Sequence, residues 1–144
     1  MESAEAPVKI HKVFNCAIDN IWNAWTDSKL IMKWFGSDPN GKVLAATLDV
    51  RPNGTYEITF CDPDGTVHTC YGVYKEVKER SKLSFTWNWK SEPGVESFVT
   101  IKLFSDGKKT SMHFEHAGTG TTSIHEYEAG WTTTFEKLER ELVL

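Results

Sequence analysis

A chain of 144 residues is the size of one domain, long enough to hide roughly 68–70% of its unfolded surface on folding. A formal charge of −4 excludes a nucleic-acid surface, which needs clustered Lys and Arg, and no run of about 18 apolar residues is present to span a membrane. Three cysteines (Cys16, Cys61, Cys70) are too few for a disulfide framework, and the acidic start Met1-Glu2-Ser3-Ala4-Glu5 lacks the apolar core of a secretory signal, so a cytoplasmic location is expected.

Residues 1–7 read as a flexible tail and residues 8–144 as a single domain. Val8-Lys9-Ile10-His11-Lys12-Val13-Phe14 alternates apolar and charged side chains, the period of a half-buried strand. The period then changes: Ile18, Ile21, Trp22 and Trp25 recur at helical spacing through about Thr26. Asp27 and Ser28 read as a fresh N-cap for a second short helix carrying Leu30, Ile31 and Trp34. Gly36 to Gly41, rich in Gly, Asp, Pro and Asn, is a loop.

From Val43 the pattern is strand after strand. A short strand over 45–49 leads into the turn Arg51-Pro52-Asn53-Gly54. Tyr56, Ile58 and Phe60 share one face, and Asp62-Pro63-Asp64-Gly65 forms a second turn. Val67, Thr69, Tyr71 and Val73 are expected to continue the inner face on the return strand. Leu83, Phe85, Trp87 and Trp89 form the next inward row, followed by Val99, Ile101 and Leu103. Beyond the turn at Asp106-Gly107 come Thr110, Met112, Phe114 and His116. Consecutive hairpins of this kind make a meander.

The last stretch, residues 123–144, organises the rest. Ile124, Tyr127, Trp131, Phe135, Leu138 and Leu142 fall on one narrow arc of a helical wheel, a stripe made to be buried. Ser123-x-x-Glu126 reads as a capping box, and Glu126, Glu136, Lys137, Glu139 and Arg140 belong to a wet opposite face. Gly130 costs helix stability relative to alanine, which points to close backbone approach by a neighbour. The fold class is therefore α+β. A curved antiparallel sheet of about six to seven strands surrounds a long C-terminal helix, with two short helices after the first strand.

Catalytic and metal patterns fail. Gly118-Thr119-Gly120 lacks the lysine of a phosphate loop, and His125-Glu126 lacks the second histidine of a zinc-protease helix. His113 and His116 point to opposite faces of one strand, and Asp62 and Asp64 lack the other ligands of a calcium loop. No metal, no cofactor and no catalytic nucleophile are expected. His116 reads first as a hydrogen-bonded core histidine, and second as a polar handle in a pocket or a general base. Tyr56, Tyr71 and Tyr127 share that ambiguity, since a buried hydroxyl must find a partner.

Several short motifs converge on a family. Asp19-Asn20-Ile21-Trp22-Asn23-Ala24-Trp25-Thr26-Asp27 with Trp34-Phe35 resembles the opening of the activator-of-Hsp-90-ATPase homologue domain. Asp49-Val50-Arg51-Pro52-Asn53-Gly54 is similar to that family's D-x-R-x-G-G turn, with Asn53 in place of the first glycine. Pro63-Asp64-Gly65, Gly72-Val73-Tyr74, Leu83-Ser84-Phe85-Thr86-Trp87, Val99-Thr100, Thr110, His116 and Gly130-Trp131 follow in the same order, so the likeness runs from about Val8 to Leu142. The resemblance implies the helix-grip fold of START and Bet v-type proteins. It also implies two functional readings. Eukaryotic namesakes are cochaperones that stimulate a chaperone ATPase, with a separate N-terminal domain that makes much of the chaperone contact. The wider superfamily binds apolar small molecules between helix and sheet, and some relatives are cyclases.

The leading expectation is a non-enzymatic domain that binds a lipid-like or polycyclic ligand between the terminal helix and the sheet. Trp34, Tyr56, Tyr71, Phe85, Trp87, His116, Tyr127, Trp131 and Phe135 are the expected lining. A chaperone-stimulating module is the alternative, with a chaperone as partner, and a cyclase or dehydratase using the same cavity is the third reading. Val143 and Leu144 at the apolar end of the helix suit a monomer or a weak homodimer.

Overall fold

The computed structural model describes residues 7–118 and 127–142. Seven strands form one antiparallel sheet: β1 (Val8–Phe14), β2 (Lys42–Leu48), β3 (Thr55–Cys61), β4 (Val67–Lys78), β5 (Lys82–Trp89), β6 (Glu96–Asp106) and β7 (Lys109–Ala117). Helices α1 (Ile18–Thr26) and α2 (Ser28–Ile31) follow β1, and α3 (Tyr127–Leu142) closes the chain. The capping box at Ser123 and Glu126, Ile124 of the apolar stripe, and the terminal pair Val143 and Leu144 lie outside the described residues.

The sheet order is β1-β7-β6-β5-β4-β3-β2, so every strand from β2 to β7 pairs with its neighbours in sequence. The exception determines the architecture. β1 and β2 are consecutive strands in the chain but occupy opposite edges of the sheet, so α1, α2 and the loop over 32–41 must travel from one edge to the other. In crossing, they cover the concave side. Asp27 caps α2 as its sequence indicates, its carboxylate accepting from the amides of Lys29 and Leu30. The helix ends at Ile31, and Trp34 follows it on the loop with its indole donating to the Ala24 carbonyl.

Inward-facing side chains of the sheet meet α1 and α3 in one aromatic core. Trp25 lies between the layers, 4.8 Å from the ring of Trp34 and 6.0 Å from that of Phe135. Trp131 packs 4.6 Å from Phe114 and 5.2 Å from Trp87, which seats α3 in the hollow of the sheet. Trp131, Phe135 and Leu138 are buried on α3 as the stripe predicts.

Two expectations need correction. On β4 the buried residues are Cys70, Gly72 and Tyr74, with His68 half-buried, while Tyr71 is 36% exposed on the outer face. Cross-strand register explains the difference. Ile58 lies opposite Cys70 and Phe60 opposite His68, because a five-residue connection joins Cys61 to Val67. Directly paired residues share a face, so one residue of slip transfers the whole inward set. The second correction concerns Lys137, expected on the wet face of α3 but only 9% exposed. Its ammonium donates to the Asp38 carbonyl (2.9 Å), so the stem is buried and the charge is capped by the crossing loop.

Candidate functional site

Between α3, the crossing loop and the middle of the sheet lies a cleft of about 60 Å³, space for a few waters. Each wall comes from a different part of the chain. The loop supplies Phe35, Gly36 and Ser37; the sheet supplies Phe60, His68, Trp87 and Trp89; α3 supplies Tyr127, Gly130, Trp131 and Thr134. Gly130 is there because the loop is close. A methyl group at this position would sit 3.1 Å from the Ser37 side chain, the close approach that the helix glycine indicates. Thr134 ties the two elements together, its hydroxyl lying 2.9 Å from the Gly36 carbonyl and 2.7 Å from the Gly130 carbonyl.

The polar groups at the rim are engaged with one another. The Trp89 indole donates to the Tyr127 hydroxyl (2.8 Å), and the His68 ring pairs with the Asp62 carboxylate (3.0 Å). Among the described residues, no Asp, Glu, Lys or Arg lines the cleft.

Behind the cleft is a second, much smaller void of about 10 Å³, lined by residues that include Trp25, Phe35, Tyr56, Phe85 and Trp87. Phe35 and Trp87 line both spaces, so these two rings form the partition between them. The Tyr56 hydroxyl donates to the Thr86 carbonyl (2.7 Å), and burial pushes its pKa well above the ordinary tyrosine value. The indole N–H groups of Trp25 and Trp87 are buried and, among the described residues, have no hydrogen-bond partner.

His116 is fully buried beside the cleft and belongs to a directional chain. The Trp131 indole donates to its Nδ1 (2.9 Å), which leaves Nε2 carrying the ring proton. Nε2 then donates to Ser97 Oγ (2.7 Å), whose own proton points to the Trp87 carbonyl (3.4 Å). Burial lowers the imidazole pKa to about 3. With its Nδ1 lone pair occupied by Trp131 and its protonated form disfavoured by burial, the ring in this arrangement is a structural strut.

The predicted lining residues thus separate into groups. Trp87, Tyr127 and Trp131 meet at the cleft, and Tyr56, Phe85 and Trp87 meet at the inner void. Trp34, Phe135 and His116 are core. Tyr71 faces outward, on the far side of the sheet, for the register reason given above. The sequence reading misses Phe35, Phe60, His68 and Trp89 as wall residues. Trp34-Phe35 beside a glycine-rich loop was the available signal for the first of these. Only the β3–β4 register could reveal His68.

Residues 15–143 match the sequence profile of the family described as activator of Hsp90 ATPase homolog 1-like protein. Among solved structures, the chain is similar to the AHSA1 protein SPO3351 of Silicibacter pomeroyi at 24% identity, with a TM-score of 0.84 and coverage of 96% of this chain and 98% of that one. An AHSA1-like protein from Aeromonas hydrophila superposes with a TM-score of 0.82 at 17% identity, covering 96% and 92% of the two chains. DynU16, described as belonging to the dynemicin biosynthetic locus, superposes with a TM-score of 0.78 at 20% identity over 96% of this chain and 48% of that one. No curated protein sequence matches the chain closely enough to add a relative.

Proposed function

The chain belongs to the activator of Hsp90 ATPase homolog 1-like family, and from that premise we propose that it is a binding domain for a small apolar molecule held between α3 and the sheet. One observation carries the reading: the space left at that junction is walled largely by aromatic rings, and among the described residues no Asp, Glu, Lys or Arg lines it. Ligand pockets have this character, apolar surface for burial with a few fixed polar groups for orientation. Three free thiols suit a reducing, cytoplasmic setting.

Pockets for drug-sized ligands run to several hundred Å³, more than the resting cleft offers. Binding therefore displaces the Phe35–Ser37 segment away from α3, stretching the latch made by Thr134 and Lys137. Native mass spectrometry of the protein as purified, followed by displacement of an environment-sensitive apolar dye, tests the reading. A copurifying neutral molecule, or saturable dye binding at one site, is the expected result. Absence of both would remove it.

A further inference from the structure

The two unpartnered indole N–H groups specify the ligand more narrowly. Buried polar groups are nearly always hydrogen-bonded, and each that is not calls for a reason. The side chains of Trp25 and Trp87 both line the inner void, their indole N–H groups are donors only, and among the described residues none that lines the void is charged. Trp87 also lines the outer cleft, so a ligand seated there meets it before reaching Trp25. A cation has no counterion in this chamber, and a carboxylate would be desolvated without one. An uncharged oxygen acceptor fits: a carbonyl oxygen has two lone pairs and no proton of its own, which complements two indole donors.

We infer that the ligand is a neutral apolar molecule bearing a carbonyl-type acceptor, inserted past Phe35 so that its oxygen takes the N–H groups of Trp87 and Trp25. The inference rests on the ligand-binding reading and adds to it the polar chemistry of the deep end. Trp25 and Trp87 are then specificity-determining residues. The hydroxyl of Tyr56 takes no part as donor, being committed to the Thr86 carbonyl.

The test is a matched pair of bicyclic probes, α-tetralone and its hydrocarbon counterpart tetralin, which differ by one carbonyl oxygen. Affinities are measured by titration calorimetry, and the six tryptophan indole signals of the full chain are followed in a ¹⁵N-labelled sample. The ketone is expected to bind on the order of tenfold tighter than the hydrocarbon, as two new hydrogen bonds would give. Two indole signals should move downfield with the ketone and stay with the hydrocarbon. Trp25→Phe and Trp87→Phe identify those signals and should each reduce the preference. The wild-type titration stands by itself if either variant fails to fold. Equal binding of the two probes with unmoved indole signals, as a single buried water in the void would produce, overturns the acceptor while leaving apolar binding intact. Failure of both probes to bind up to millimolar concentration overturns the binding reading and the acceptor with it.

Discussion

His116 shows how one side chain can be chemically silent and still govern stability. In the unfolded chain its imidazole takes up a proton near the ordinary value of 6.5, whereas in the fold it does so only near 3. Between those values the unfolded state binds the extra proton, so stability is complete above about pH 6.5 and falls as the pH drops toward 3. The slope is at most about 1.4 kcal/mol per pH unit. His116→Gln should lower stability at neutral pH and flatten the urea-midpoint profile between pH 6.5 and about 5, above the carboxylate range. An unchanged slope would mean that other groups carry the acid sensitivity. The family likeness and the strand period both point to an inward His116. What they leave open is the partner on each nitrogen. That choice depends on Ser97 of β6 and Trp131 of α3, which flank β7 in the chain, meeting at the one ring, and no local pattern encodes that geometry.

At the scale of elements, the junction of α3 with the crossing loop is the adjustable part of the fold. Thr134→Val keeps the shape and removes the bond to the Gly36 carbonyl, for an expected loss of about 1 kcal/mol in chemical denaturation. A loss far above that would show that the hydroxyl does more than tie the loop. Gly130→Ala gains helix propensity of up to about 1 kcal/mol, but its methyl meets Ser37 and intrudes on the cleft. Thermal stability should therefore change little while affinity for the bicyclic probes falls. Undiminished affinity would place binding elsewhere. The sheet contains a less forgiving glycine. A methyl at Gly72 would lie 2.0 Å from the Thr86 carbonyl, the same carbonyl that receives the Tyr56 hydroxyl. Gly72→Ala should cost more than about 3 kcal/mol or prevent folding, read from soluble yield and melting temperature. Element identities are legible in the sequence because the switch between periods of two and 3.6 is sharp at Ala17 and again before Tyr127. The inward face of β4 is not, because it depends on how many residues the Asp62–Thr66 connection inserts.

For the molecule as a whole, topology makes the parts interdependent. The outer strands β1 and β2 are joined only through α1, α2 and the crossing loop, and all of these pack on the core that α3 completes. Among the described residues, the buried apolar side chains of all the elements form one cluster. Unfolding should be a single transition, with near-ultraviolet and far-ultraviolet circular dichroism superimposing across a urea titration. Early loss of the near-ultraviolet signal would reveal a helix–sheet interface that opens independently. The overall architecture is legible in the sequence because one long amphipathic helix and one meander admit few arrangements. The size of the remaining space is not. Whether aromatic rings fill a hollow or line it depends on interlocking angles such as the 79° between Trp25 and Trp34.

All six tryptophans are buried, and several ring centres lie within 7 Å of one another. At such spacing, light absorbed by one indole can hop to the next before it is re-emitted. The protein is thus an antenna whose collecting rings surround its own candidate binding place. A guest that drains excitation from Trp87 or Trp131 should dim the ultraviolet glow of the entire molecule, by more than the share of the rings it touches. The fold thereby provides an unlabelled optical gauge of whether it is full or empty.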